Sequence, residues 1–454
     1  MSGLSSDNRA PGLREARDAL AGGRTSAFKL TLRALSVAYE SQRAVNAFAT
    51  IARDKALVAA VESDRKYAVG CARPLEGLAI GVKDLIDTQS IETRYGSAAY
   101  IGNLPSANAA IVSRLVEQGA IIIGKTTTHE FAWGVTTSSR EFGDTLNPLD
   151  TRCIPGGSSG GAAAAIAYGA VAAGLGTDTG GSVRIPAALC GVVGFKPTYG
   201  TFSTQGIFSL APSLDHPGLL GASVDDVMVL AEALGVALQG GDITESPRFG
   251  VIHNIEPVPL SAEVAMSFEQ AIDIVGRSYP CDELNAVGLF DGVFQAFAGI
   301  VLTEGGVSHF ARNDWDFITR HYSAETVDRL DRASNVTLSD YANWQQTRRQ
   351  FTAKLSRAMA NVDYLLLATC PCTAPRVDTS TMNIGVWQGT VREALMTYTA
   401  PFNVAGFPAI SIPLPLHKGH LRAGLQIVAR PGDDGGLLQV ALKLERLLAS
   451  GAKV

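Results

Sequence analysis

"NAAIVSRLVEQGAIIIGKT" (108–126) is the stretch whose reading decides the fold class. Residues 108–120 carry apolar side chains at helical spacing and stop beside Gly119, a favoured helix end. "IIIGKT" (121–126) follows at once, β-branched and apolar, as a buried strand. A helix running directly into such a strand is the repeating unit of an α/β protein. The style recurs along the chain. "LEGLAIGVKDLID" (75–87) alternates into a short strand ending near Lys83, and strands are expected at 248–252, 363–368, 408–414 and 423–429. Helices are expected over 12–62, 161–173, 223–234, 261–278, 290–303, 323–361 and 435–450, the 223–234 helix opening on a Ser N-cap with acids in its first turn. Residues 235–247, "GVALQGGDITESP", read as the best linker, and no repeat of solenoid period is present. The expected architecture is α/β, a single large layered domain with a central mixed twisted β-sheet covered by helices on both sides.

The composition supports such a core. Apolar residues make up 46% of the 454, against 18% charged, which excludes global disorder. A net charge of −5 with no basic run gives no nucleic-acid footprint. The N-terminal "MSGLSSDNRAPGLREARDAL" lacks the apolar core of a secretory signal, and Ala162–Leu175 is too short and too rich in Ala and Gly to span a bilayer. Cysteines 71, 153, 190, 281, 370 and 372 form no CxxC, so neither a metal site nor a disulfide framework is expected, and free thiols suit a cytoplasmic protein.

"GGSSGGAAAAIAYGAVAAGLGTDTGGSVRIP" (156–186) holds three serines and no histidine. Serine is a weak nucleophile without a base to take its proton. Four readings compete. "GGSSGG" is a flexible connector. It is an anion cradle before a helix, although the Gly-Lys-Ser/Thr ending of a P-loop is missing. Gly157-Ser158-Ser159-Gly160-Gly161 is a nucleophile elbow, although the preceding "LNPLDTRCIP" is a poor strand and His129, His216 and His253 stand in no late Asp…His context. Or the base is a lysine. Lys83 ends an apolar strand, where burial favours the neutral amine; holding it neutral at pH 7 requires roughly 4.6 kcal/mol. A strand-end lysine that snorkels to water is the plain alternative.

"GGSSGG" (156–161), "GLGTDTGGSVRIPAALCGVVGFKPTYG" (174–200) and "GLAIGVKDLID" (77–87) together resemble the amidase signature family. The resemblance extends to "QGAIIIGKTTTHEF" (118–131), "PFNVAGFPAISIPL" (401–414) and "AGLQIVA", and is weakest between about 245 and 360. It implies an N-terminal helical segment over 1–65 packed on a main domain of 66–454, within which 245–360 is a more variable, largely helical insertion. It also implies a Ser–cis-Ser–Lys triad. Ser182 would be the acyl nucleophile, Ser158 the bridging serine at a cis peptide bond, and Lys83 the base. The main chain of Thr179, Gly180, Gly181 and Ser182 would stabilise the oxyanion. Thr177, Asp178, Ser159 and Arg184 would support that loop.

The resemblance implies an amidohydrolase with no metal or organic cofactor, acting on a small carboxamide. Two alternatives share the family: a hydrolase of urea-derived or biuret-type amides, and the A subunit of a tRNA-dependent amidotransferase, a glutaminase delivering ammonia to a partner. Only the last involves nucleic acid, and indirectly. A homodimer is compatible with the family; membrane attachment is not expected, since the fatty-amide branch carries an N-terminal membrane helix that this chain lacks. In the amidotransferase branch a carboxylate holds the amino group of glutamine, and Met396 stands at that point here. Arg349 or Arg348 would match the arginine that binds the glutamine carboxylate, with a solvated helix arginine as the competing reading. Trp344, Trp387 and Met396 are candidates for an acyl pocket, though such residues are more often ordinary core.

Overall fold

The run "YLLLA" at Tyr364–Ala368 is buried along its whole length, and alternate side chains enter two different cores: Tyr364, Leu366 and Ala368 join one hydrophobic cluster, Leu365 and Leu367 the other. Successive side chains of a strand point to opposite faces, so this strand lies inside a sheet covered on both sides. The structure is a computed structural model that describes residues 9–139, 141–238, 246–414 and 421–451. Residues 239–245, the centre of the expected linker, and residues 1–8 of the expected N-terminal segment lie outside the described residues.

In chain order the strands are β1 (Phe48–Ile51), β2 (Ala79–Lys83), β3 (Ile121–Thr126), β4 (Ala173–Asp178), β5 (Val193–Lys196), β6 (His216–Gly221), β7 (Phe249–Val251), β8 (Cys281–Glu283), β9 (Tyr364–Ala368), β10 (Thr381–Ile384), β11 (Trp387–Thr390), β12 (Ala409–Leu414) and β13 (Ala423–Val428). Eleven of them form one sheet in the order β1-β3-β2-β4-β6-β5-β12-β13-β9-β7-β8, while β10 and β11 form a separate hairpin. The sheet is mixed: β2 runs parallel to β3 and β4, whereas β4–β6, β6–β5, β5–β12 and β12–β13 are antiparallel. This is the expected fold class. No helix of the described residues is long and apolar enough to cross a membrane.

Among the elements that differ from the sequence expectations, four do so for a plain local reason. Within the stretch read as helical over 12–62, Asn46 takes a left-handed conformation (φ 53°), and "FATI" then pairs antiparallel with β3 as the sheet's edge. The Ala-rich helix ends at Tyr168 rather than 173, because Gly169 at φ 94° turns the chain into β4. "AGLGTD" is a strand that the sequence does not signal, since its glycines erase the periodicity. They are there for close approach: a Cβ on Gly174 would lie 2.9 Å from the Gly81 carbonyl oxygen. The charged stretch 323–361 is two helices, Ala324–Ser334 and Leu338–Ala358, separated where Thr337 and Asp340 form a reciprocal capping box. Because β2 and β4 are parallel neighbours, with Val82 opposite Leu175, their carboxyl ends bring Lys83 beside Thr177 and Asp178.

Candidate active site

Lys83 is fully buried at the end of β2. Its Nζ lies 2.8 Å from Ser158 Oγ, 2.7 Å from Thr177 Oγ1 and 3.4 Å from the Thr177 carbonyl oxygen. The snorkelling alternative is therefore wrong. Burial lowers the amine to about 7, against the opposing pull of the buried Asp178 and Asp215 carboxylates, which favour the ammonium. Thr177, expected only to support the loop, shares the amine with Ser158. Ser159 Oγ donates to the Thr177 carbonyl at 3.2 Å and accepts from the Thr177 amide at 3.3 Å, which fixes that threonine.

"GGSSGG" is neither flexible filler nor an anion cradle. The Gly157–Ser158 peptide bond is cis. The Thr137 hydroxyl donates to the Gly156 carbonyl at 2.8 Å and accepts from the Gly160 amide at 3.1 Å, and the Gly161 amide donates to the Thr127 carbonyl at 3.2 Å. These first amides of helix Gly160–Tyr168 are spent within the protein. A Cβ on Gly161 would lie 2.2 Å from Thr127 Oγ1, so this glycine permits a packed contact. The elbow reading also lapses: the described residues 141–155 just before the loop form no strand, and His129, His216 and His253 make side-chain hydrogen bonds to Thr136, Leu214 and Glu269 instead of to a serine.

Residues 179–183 link β4 to helix Arg184–Cys190. Asp178, fully buried, organises them. Its carboxylate accepts from the amides of Gly181 (2.8 Å), Val183 (3.1 Å) and Arg184 (3.4 Å). It also takes a bidentate grip from the Arg184 guanidinium at 3.0 and 2.9 Å. Burial alone would raise this carboxyl; Arg184, then Lys196 and Asn403, hold it far below the usual carboxylate range. The Gly181 amide is thus committed to Asp178, whereas the amides of Thr179, Gly180 and Ser182 have no partner among the described residues. Gly181 sits at φ 127°, which excludes a side chain there. The Ser182 carbonyl accepts from the Ser159 amide at 3.1 Å, so the two serine loops are joined through their backbones. The Ser182 hydroxyl itself bonds to no described residue, neither Ser158 nor Lys83.

Several site groups escape the sequence. Arg184 also donates to the Thr399 carbonyl (3.0 Å), Gln426 Oε1 (2.6 Å) and Asn403 Oδ1 (2.6 Å), while Thr399 Oγ1 donates to the Gly180 carbonyl at 2.7 Å. Asn403 and Gln426 lie in blocks that resemble the family, and a polar residue in so apolar a strand as "AGLQIVA" was the available signal. Asp215 accepts from Thr179 Oγ1 at 2.6 Å and Ser209 Oγ at 2.7 Å; burial pushes it up to about 6 against those hydrogen bonds. A Cβ on Gly180 would lie 2.3 Å from Phe297 Cζ and 2.4 Å from Met396 Cε, so those two side chains wall the loop. Trp344 packs instead on Gly299, and Trp387 stands in the β10–β11 hairpin. Arg348 spends its guanidinium on the Val404 and Ser213 carbonyls, each at 2.9 Å, and Arg349 is exposed. Arg349 thus agrees with the solvated-helix reading, and Arg348 is held by main-chain carbonyls.

An amine that accepts a proton must be neutral, so kcat/KM is expected to rise with pH through about 7. Asp215→Asn should move that limb to lower pH, because the carboxylate it removes favours the ammonium. A profile flat from pH 6 to 9, or a limb displaced upward in the variant, would contradict this electrostatic account.

The protein-family model described as Amidase matches residues 29–438. The A subunit of the glutamyl-tRNA(Gln) amidotransferase of Caldanaerobacter subterraneus subsp. tengcongensis is 32% identical, over 94% of this chain and 94% of that protein. The protein of the same name from Chloroflexus aggregans is 33% identical, over 95% of each. A solved structure described as an amidase superposes with a TM-score of 0.89 at 34% identity, covering 96% of this chain and 100% of the other.

Proposed function

Because the chain belongs to the amidase signature family and is an amide-hydrolysing enzyme, we propose that it cleaves the C–N bond of a small carboxamide through an acyl-enzyme on Ser182. The observation that carries this reading is the buried 2.8 Å contact of Lys83 Nζ with Ser158 Oγ. In the mechanism, Ser182 Oγ reaches Ser158 as substrate enters and attacks the carbonyl carbon. The Ser182 proton passes to Ser158 Oγ, and the Ser158 proton to Lys83 Nζ, leaving an ammonium. Charge on the carbonyl oxygen is met by the unspent amides of residues 179, 180 and 182. As the C–N bond breaks, the relay runs backwards and protonates the leaving amine. Water then hydrolyses the Ser182 ester through the same relay, which regenerates the neutral lysine.

Hydroxylamine trapping with a panel of small amides tests it. The unaltered enzyme and Ser159→Ala should yield hydroxamate, and Ser182→Ala none. Trapping that survives Ser182→Ala while Ser159→Ala abolishes it would transfer the nucleophile's role to Ser159.

The named relatives favour a second reading more directly: both are amidotransferase A subunits, similar along nearly the whole chain. Against it stands Met396, whose methyl group flanks Gly180 where an α-ammonium would require a carboxylate. Glutamine turnover that appears only with a co-purified partner protein would decide for the amidotransferase.

A further inference from the structure

Two paths lead outward from the serine loops and meet at one cluster. From Gly180, the path runs to Met396 on helix Val391–Thr397. Arg392 lies four residues earlier on the same helical face, about 6 Å along the axis. From Gly157, the path runs to Val135, whose carbonyl carbon would lie 2.9 Å from a Cβ placed there, and then to Trp133. The Trp133 carbonyl accepts from the Arg329 guanidinium, which stands 5.8 Å over the Trp133 ring and pairs with Glu325. Arg329 and Glu325 are also the two charges that act most strongly on Arg392.

Arg392 is the odd member of this cluster. It is partly buried and makes no hydrogen bond or ion pair with any described residue. The acids near it are already engaged. Glu393 Oε2 accepts from the Thr390 amide and hydroxyl, each at 2.9 Å, as the capping box of the helix. Glu325 pairs with Arg329 and lies 3.5 Å from His129 Nε2. Burial, followed by the repulsion of Arg329, lowers Arg392 to about 10, which leaves it protonated at neutral pH. A partly buried guanidinium that no carboxylate grips directly is costly, and its planar fork matches a carboxylate in two parallel hydrogen bonds.

We propose that Arg392 binds a carboxylate carried by the substrate, so that the amide cleaved at Ser182 is anionic, of the class of monoamides of short dicarboxylic acids. This rests on the amidohydrolase reading above. Met396, whose methyl group flanks Gly180 one helical turn beyond Arg392, is apolar and suits a methylene chain without an amino group.

The test compares malonamate, succinamate and glutaramate with the corresponding neutral diamides, in two measurements. Calorimetric titration of the intact Ser182→Ala protein should show at least one half-amide binding more tightly than its diamide. In the active enzyme, Arg392→Gln should lower the half-amide to diamide ratio of kcat/KM by about 10- to 100-fold, and Arg392→Lys should recover part of it. Thermal melting of each variant controls for folding. If no half-amide binds better than its diamide, or if Arg392→Gln slows both equally, Arg392 does not recognise substrate. Failure of hydroxylamine trapping with every amide, neutral ones included, would instead remove the underlying Ser182 chemistry, so the two failures are separable.

Discussion

Lys83→Met is expected to lower kcat by at least about 10³-fold, because among the described residues no other group hydrogen-bonded to Ser158 Oγ can take a proton. The same substitution should leave a distinct mark on stability. In the folded protein the amine sits near 7, below the ordinary lysine value of 10.5. Between those two pH values the unfolded chain binds more protons than the folded one, so stability from this group rises with pH across that window. Below pH 7 both states are protonated, and the native state carries the full cost of a buried ammonium, on the order of a few kcal/mol. Lys83→Met removes that dependence. Relative to the unaltered enzyme, the variant should therefore fare better at pH 6 than at pH 9 in urea denaturation. An inactive variant whose stability difference does not change with pH would mean that the amine is not held near neutrality. A variant that retains turnover would remove Lys83 from the chemistry altogether.

The second large effect is structural. Arg184→Met should destabilise the fold by about 3–5 kcal/mol, because it strands the fully buried Asp178 carboxylate without its counter-ion. It also unties the Thr399 carbonyl, Asn403 and Gln426. Asp178→Asn in the same chain should recover part of the loss, since a neutral amide tolerates burial where a lone carboxylate does not. Denaturant titration of both single variants and the double variant measures the coupling. Additive losses, or a change below about 1 kcal/mol in Arg184→Met, would overturn the view that this ion pair holds the nucleophile loop.

The sequence and the structure agree where local chemistry is strong and part where partners are distant. "IIIGKT" and "YLLLA" announce themselves as buried strands because β-branched and apolar side chains fill every position. "AGLGTD" and "HPGLLG" do not, since glycine and proline carry no periodic signal, and only the pressure of neighbouring strands makes them β4 and β6. In the candidate site, Lys83, Ser158 and Ser182 are singled out through family resemblance, and the contact of Lys83 with Ser158 is the part that the structure makes. The direct bond from Thr177 to that lysine and the commitment of the Gly181 amide depend on side-chain directions that spacing does not encode. Asp215 escapes notice because a lone aspartate in "SLDHPG" reads as a turn. Asn403 and Gln426 lie 219 and 242 residues from Arg184, a separation no local pattern bridges.

That separation bears on how an active molecule comes into being during synthesis. Residues 83, 158 and 182 all emerge from the ribosome long before residues 399, 403 and 426, which complete the grip on the Arg184 guanidinium. A nascent chain halted ahead of Thr399 would hold Lys83, Ser158 and Ser182 and still lack these three partners of Arg184. The grip on Arg184 is thereby completed only after residues 399–426 have joined the fold, so the loop that follows β4 is the last part of this centre to be fixed.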